Sequence, residues 1–370
     1  MVEYKLEEID TQYGLVIEYV DDLLEAPANI RNPYIRSRSQ MEHLKIRNAL
    51  NSLSECFGLE HTASQSAALQ ISKSNCLLRE SAFKKAEDGY WRALALAKEV
   101  DDTLAAITGL NNIAIIYLVR KWHFKSLKLH KLALEICLDI GDCRYRATQY
   151  GNIGAVYDVR QEYDLAMKHY TQALQSYREC EYFRGIARQT GNIGSIYLKK
   201  GGEMNKAMQH FDNALQIYEK VGDRPGQAAQ LVNMGNISQR THDMKSALDY
   251  CHKALLLYED TGDRWRQVPI MNNLGLLYRL SNDLDEALAW YQRALTIGCA
   301  IHDRRGEADQ QRNIGLVFQL KGDMNKATRH YEQAIEIYGR IGDDNQVETI
   351  RQNMKIGADR TGIWSHIEDV

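Results

Sequence analysis

The chain has 370 residues, of which 44% are hydrophobic and 26% are charged, and it contains only 4 prolines. These proportions are ordinary for a folded protein and exclude long disordered or low-complexity segments. With a formal net charge of −3, the chain has no general attraction for phosphate backbones or anionic lipid, so we expect neither nucleic acid nor a membrane as its partner.

Cysteine usage and the first residues predict a cytoplasmic protein. The 7 cysteines are odd in number and scattered, and no Cys-x-x-Cys pair occurs, which is typical of reduced thiols. The N-terminus lacks the basic region and apolar run of a signal peptide. No window approaches the roughly 18 consecutive apolar residues that a membrane helix needs.

Residues 1–62 predict a pair of helices that precedes the rest of the fold. Apolar residues recur at spacings of three and four over 6–24 and again over 41–56, with prolines between the two segments. Two interpretations stay open. The pair is either a cap over the first repeat, which stacked arrays need, or a separate docking or effector element.

A ladder of asparagines runs through the remaining sequence. Its members are separated by 40, 40, 41, 40, 40 and 40 residues, and they are Asn112, Asn152, Asn192, Asn233, Asn273, Asn313 and Asn353. A fixed period of this size indicates one supersecondary unit that is repeated in a stack.

The sequence of each repeated unit predicts two helices, A and then B. Helix A contains Asn-x-Gly-x-x-Tyr, and helix B contains an alanine, an aromatic residue four positions later and another alanine three positions after that. In one unit these residues are Gly154, Tyr157, Ala166, Tyr170 and Ala173. Glycine and alanine let two helix backbones approach, and the aromatic ring fills the space between neighbouring units.

The junctions between units carry a second signal. They read Gly141-Asp142, Gly222-Asp223, Gly262-Asp263, His302-Asp303 and Gly342-Asp343. Glycine suits the left-handed residue just past helix B, and aspartate suits the N-cap of the next helix A. The extra residue of the 41-residue step falls near Gly201 and Gly202, which predicts an insertion in a turn from A to B.

Degenerate units mark the ends of the array. Ser72 and Ser74 stand where asparagine and glycine belong, and Lys355 replaces glycine after the last ladder asparagine, with no helix B to follow. We therefore predict seven helix pairs over 63–342. A C-terminal capping helix and tail occupy 343–370.

The two patterns Asn-Ile-Gly-x-x-Tyr and Ala-x-x-x-Tyr-x-x-Ala resemble the tetratricopeptide repeat. The 40-residue unit is similar to the subclass found in Pins-type polarity adaptors, kinesin light chains and Rap-type bacterial regulators. The resemblance covers residues from about 66 to 357. It implies an all-α, right-handed solenoid in which the A helices line a concave groove that holds a partner.

Transferred column by column, the resemblance implies which side chains face this groove. The candidate partner contacts are Asn111, Asn152, Arg188, Asn192, Ser195, Lys199, Asn236, Arg240, Asn272, Arg279 and Arg312. Amides can hold an extended backbone and arginine can grip a carboxylate in bidentate fashion, so we expect a protein or peptide partner that is acidic or carboxylate-bearing. A structural role for the ladder asparagines and a solvated role for the arginines stay open. Chaperone tails are not expected, since no lysine precedes the ladder asparagines.

Common catalytic and metal-binding motifs are missing from the sequence. The sequence contains no Gly-x-Ser-x-Gly, no phosphate-binding loop and no His-Glu-x-x-His. His169, His210 and His330 share one column of helix B, but successive repeats stand about 10 Å apart, whereas the ligands of one metal lie ~2 Å from it. We therefore expect no enzymatic activity, no metal and no cofactor.

The sequence thus predicts a non-enzymatic adaptor or scaffold that binds a peptide segment in the groove. One alternative is a peptide-sensing regulator of the Rap type, with the N-terminal helices as effector. Another is a self-assembling structural protein, in which the tail or exposed end of one molecule enters the groove of its neighbour.

Overall fold

The computed structural model describes residues 63–79 and 82–361, which form helices joined by short turns and contain no strand. These helices are α1 (Ala63–Arg79), α2 (Phe83–Glu99), α3 (Thr103–Val119), α4 (His123–Ile140), α5 (Cys143–Val159), α6 (Tyr163–Glu179), α7 (Phe183–Gly201), α8 (Met204–Lys220), α9 (Arg224–Arg240), α10 (Met244–Asp260), α11 (Arg264–Leu280), α12 (Leu284–Ala300), α13 (Arg304–Leu320), α14 (Met324–Ile341) and α15 (Asp344–Thr361).

This order confirms the predicted array of seven A–B pairs followed by one further helix. Odd-numbered helices up to α13 are the A helices, and α15 is the single helix that follows the last pair. The predicted N-terminal pair over 1–62 and the tail beyond 361 lie outside the described residues. None of the helices in the described ranges combines the length and apolarity that crossing a bilayer requires.

The chain divides into two compact units, one up to Asn213 and one from Ala214, so that the division falls inside α8. Within the first unit, helices that follow each other from α1 to α7 pack together, and A helices also contact the next A helix, α1 against α3 and α3 against α5. Within the second unit the same holds from α9 to α15, with α11 against α13. Each unit is therefore built from neighbour contacts, as stacked repeats are.

The predicted pairing of small and large residues holds in both units. A Cβ atom added at Gly154 would lie 2.7 Å from the Tyr170 ring, and one at Gly275 would lie 2.6 Å from the Tyr291 ring. Both rings are almost fully buried. The glycine column exists because the aromatic ring of helix B occupies the space that a side chain would need.

The junction signals also confirm their predicted geometry. Gly141 has a left-handed φ of 73°, and the Asp142 carboxylate accepts hydrogen bonds from the backbone nitrogens of Arg144 and Tyr145, both at 2.9 Å. His302 adopts the same left-handed conformation with a φ of 59°. Aspartate caps of this kind also begin α3, α9, α10, α11, α12, α13 and α14.

The 41-residue step has its predicted place. Helix α7 is longer than the other A helices and ends at Gly201, and Gly202 follows as a left-handed cap with a φ of 67°. The insertion therefore lengthens the end of a helix A and leaves the packed columns in register.

Candidate partner-binding site

A chain of buried amides links the A helices of the first unit. Asn152 Nδ2 donates to Asn111 Oδ1 at 2.7 Å, and Asn111 Nδ2 donates to Asn112 Oδ1 at 3.1 Å. Asn112 Nδ2 in turn donates to Asn75 Oδ1 at 3.1 Å. All four side chains are enclosed, so these amides bond one repeat to the next. Partner binding by Asn111 and Asn152 stays a prediction, and their burial favours the structural alternative.

The second unit contains an equivalent hydrogen bond between two asparagines. Asn313 Nδ2 donates to Asn272 Oδ1 at 2.7 Å, across the same 41-residue separation as the Asn152–Asn111 bond. Asn272 is half-buried. Its carbonyl oxygen is therefore already engaged within the unit.

Gly151 stands where the preceding repeat has Asn111, and the side chain of Gln189 occupies the space beside it. Asn192 Nδ2 donates to Gln189 Oε1 at 3.3 Å, and a Cβ atom added at Gly151 would lie 2.8 Å from Gln189 Nε2. The missing side chain at Gly151 thus leaves room for the glutamine of the next repeat. Ser195 donates to the Gly191 carbonyl at 3.3 Å within its own helix.

The predicted cations of the first unit are held by the chain itself. Lys199 Nζ lies 2.9 and 2.7 Å from the two carboxylate oxygens of Asp158, whose side chain is only 7% exposed. Arg188 donates to the Tyr177 hydroxyl at 2.8 Å. Asp158 and Lys199 are 41 residues apart, so the repeat period itself signals that they meet on neighbouring A helices. The predicted partner contacts include Lys199 but not this pairing.

Within the described residues, Arg279 of the second unit has no counter-charge. It lies beside the Tyr291 hydroxyl, and its half-buried side chain has an enclosed Nε without a hydrogen-bond partner. No carboxylate among the described residues forms an ion pair with it. Arg240 is exposed and likewise has no ion pair in the described ranges, and Asn236 is exposed one turn earlier on the same helix.

Arg312 lies near Arg279 and is better satisfied. It donates to Gln346 Oε1 at 2.8 Å and approaches Asp309 Oδ1 at 3.4 Å. Burial raises the pKa of the Tyr291 hydroxyl, and the charges of Arg279 and Arg312 both act in the opposite direction. Two guanidinium groups therefore act on one phenol. We call Arg279, Arg312 and Tyr291 the arginine site.

The histidine column has a packing explanation. His169 stacks on Tyr157 with ring centroids 5.4 Å apart, His210 stacks on Tyr197 at 5.3 Å, and His330 stacks on Phe318 at 5.5 Å. Each histidine ring on helix B thus covers the aromatic residue on helix A of the same repeat. Among the described residues no group of three or more metal-ligating side chains converges.

Comparison with known proteins identifies the repeat. A family model described as tetratricopeptide repeat matches residues 106–179 and 227–299, and a second model with the same description matches 313–340. The chain contains tetratricopeptide repeats. No curated protein sequence gave a significant match.

Solved structures similar to this chain include a quorum sensor, a Rap protein and BtubC. The apo form of the quorum sensor NprR from B. thuringiensis aligns with a TM-score of 0.61 and 16% identity over 90% of this chain and 92% of that one. A Rap protein complexed with competence and sporulation factor gives 0.55 and 14% over 89% and 97%. BtubC from P. vanneervenii gives 0.54 and 22% over 58% and 91%. At these identities the likeness is one of fold.

Proposed function

We propose that this chain is a non-enzymatic interaction module that binds a peptide segment of a partner protein along its A helices. Acidic side chains or a terminal carboxylate of that segment bind at the arginine site. The observation that carries the proposal is Arg279, a half-buried guanidinium with an enclosed, unpartnered Nε and no counter-charge in the described ranges.

The physical argument rests on the cost of burying charge. A guanidinium that is withdrawn from water without an anion loses solvation that only a paired carboxylate restores well. Arginine presents its donors in a planar fork, so a carboxylate can accept two parallel hydrogen bonds from it. The Tyr291 hydroxyl lies beside this guanidinium and adds a neutral polar group to the arginine site.

Lys199 shows the contrasting case within the same chain. Its ammonium group is already neutralised by Asp158 at 2.7 Å, and a partner carboxylate would have to displace that pair. We therefore expect the acidic residues of a partner segment to contact the second unit, at the arginine site and at the exposed Arg240, and not Lys199.

Selection from a displayed peptide library tests this proposal. We expect the selected peptides to be rich in aspartate and glutamate, and we expect Arg279→Gln to weaken their binding about tenfold, the loss of one charge-assisted pair. Arg293→Gln is the matched control. It removes the same charge from the same unit, but Arg293 is exposed and paired with Glu259 at 2.6 Å. Peptides without acidic residues, or equal losses in the two variants, would contradict the proposal.

A second candidate function is a peptide-sensing regulator. It is favoured by the structural likeness to NprR and to a Rap protein solved with competence and sporulation factor, which extends over about nine tenths of this chain. In this case the N-terminal segment would be the effector. Small-angle scattering distinguishes the two functions, because a sensor should become more compact on binding a selected peptide, whereas an adaptor should keep its envelope.

A further inference from the structure

Two large aromatic side chains are exposed at the turn between α3 and α4. Phe124 is 76% exposed and Trp122 is 45% exposed. The Trp122 ring lies 5.5 Å from that of Tyr117, so three rings are gathered at one turn. Single exposed apolar residues are normal, but a cluster of exposed aromatic rings is characteristic of interaction surfaces.

Cations surround these rings. Lys125 Nζ lies 4.5 Å from the Trp122 ring centroid, and the Arg160 guanidinium lies 4.6 Å from that of Phe124. Arg120 lies 5.3 Å from the Trp122 ring. We call the set formed by Arg120, Lys121, Trp122, Phe124, Lys125 and Arg160 the turn patch. It lies wholly within the first unit.

The turn patch carries excess positive charge. Arg120 pairs with Glu87 at 2.5 Å and Arg160 pairs with Glu162 at 2.6 Å. Lys121 and Lys125 have no ion pair within the described residues. The turn patch therefore has four cationic side chains, and only two of them are paired with a carboxylate. Burial, followed by the charges of Arg160 and Lys121, lowers the pKa of His123, which lies beside them.

Helix α4 adds to this positive potential. Its first turns contain Lys125, Lys128 and Lys131, and no acidic residue occurs before Glu135. Trp122 occupies its N-cap without a side-chain hydrogen bond, whereas an aspartate caps α3 and α5. Lysines near a helix N-terminus oppose the helix dipole, so this arrangement is unfavourable for α4 alone and favourable for an anion bound beside it.

We propose that the turn patch is a second docking surface, which binds an acidic segment of a partner protein that has apolar side chains beside its carboxylates. The lysines complement the carboxylates, and the Trp122 and Phe124 rings receive the apolar side chains. Tryptophan and arginine are enriched among the residues that dominate the binding energy of protein interfaces. This surface shares no residue with the arginine site, so it stands whether or not that site binds a peptide.

The positions of the cations favour a protein partner over a lipid surface or a nucleic acid. Lys125 and Arg160 already cover faces of the Trp122 and Phe124 rings. A base needs a whole ring face for stacking, and entry into a bilayer would draw the charged groups in with the rings. An apolar side chain needs only the part of each ring that stays exposed, and the carboxylates bind the cations themselves.

The test uses the whole chain, a soluble peptide of glutamate, leucine and serine, and a matched peptide with glutamine at every glutamate position. Binding is followed through the indole NH resonances in NMR spectra, with that of Trp122 assigned by Trp122→Phe. We expect the acidic peptide to shift the Trp122 resonance and the glutamine peptide to leave it in place. Arg279→Gln, made in parallel, should leave the shift unchanged, which separates this surface from the arginine site.

Charge reversal at exposed positions supplies the second arm. Lys121→Glu combined with Lys125→Glu should weaken acidic-peptide binding about tenfold or more. The control Lys220→Glu with Lys245→Glu makes the same change of charge at exposed positions elsewhere and should have no such effect. Equal affinity of the two peptides, an unshifted Trp122 resonance, or equal losses in the two double variants would overturn the proposal. Patch-dependent sedimentation with phosphatidylserine vesicles in the absence of peptide binding would also overturn it.

Discussion

At the scale of single residues, the glycine column is the clearest case of packing that decides sequence. Gly275 faces the Tyr291 ring at 2.6 Å from where a Cβ atom would be, but Gly235 faces Cys251 Sγ at 3.4 Å. In this repeat Cys251 stands in place of the large ring, so the space opposite Gly235 is wide enough for a Cβ atom.

This difference predicts opposite results for the same substitution. Gly275→Ala should lower stability by ~1–3 kcal/mol, since a buried ring has to move. Gly235→Ala makes an ordinary contact and gains helix propensity, so it should be neutral or stabilising by up to about 1 kcal/mol. Thermal unfolding of both variants is the measurement, and a larger loss in Gly235→Ala would show that the column is not set by ring packing.

The left-handed residues at the junctions predict a stabilising change. His302 has a φ of 59° where Gly262 has 68° at the equivalent junction. His302→Gly should therefore stabilise the protein by about 0.5–1 kcal/mol, because a non-glycine residue pays a steric penalty in this region. The reverse change, Gly262→His, should destabilise it by a similar amount in the same denaturation assay.

At the scale of helices, buried polar contacts hold neighbouring repeats in register. The Asn152–Asn111 bond joins α5 to α3 at 2.7 Å. Asn152→Ala should destabilise the first unit by about 1–3 kcal/mol, since it removes a buried hydrogen bond and leaves a cavity. Asn236→Ala, at an exposed position, should change stability by less than about 0.5 kcal/mol. Hydrogen exchange of α3 and α5 should rise only in the first variant.

A buried histidine in helix α4 predicts that the folded protein loses stability in acid. Burial lowers the pKa of His130 from 6.5 to about 4, and its Nδ1 lies 3.0 Å from Gln149 Oε1. Because the unfolded chain binds this proton more readily, stability should be full above pH 6.5 and should fall as the pH drops towards 4.

The size of this effect follows from linkage. A shift of this extent corresponds to about 2–3 kcal/mol at the low end of the window. His130→Gln should flatten the dependence of the unfolding free energy on pH between 6.5 and 4, with His169 responsible for part of the slope that remains. An identical slope in wild type and variant would rule out His130 as the buried proton acceptor.

At the scale of the whole molecule, the fold could be predicted because its determinants recur. Three local signals are repeated several times: the asparagine period, the glycine opposite an aromatic ring and the Gly-Asp junctions. Each is set by contacts within one repeat or between neighbouring repeats. The helix count and the place of the insertion at Gly201 and Gly202 follow from them.

The candidate sites could be predicted only in part, because they depend on residues that do not recur. Column position made both Lys199 and Arg279 candidate contacts. Only the structure shows that Asp158 neutralises Lys199, whereas Arg279 has no counter-charge in the part of the chain that the structure describes. The turn patch combines rings and cations that occur once in the chain, so no repeated pattern in the sequence indicates it.

In the proposed function, Arg279 recognises a carboxylate of the bound segment. A double-mutant cycle tests this recognition, with Arg279→Gln in the protein and replacement of each aspartate or glutamate by its amide in a selected peptide. We predict a coupling free energy of at least about 1 kcal/mol between Arg279 and one acidic residue, and none with Arg293→Gln. Strictly additive effects at every acidic position would contradict the proposal.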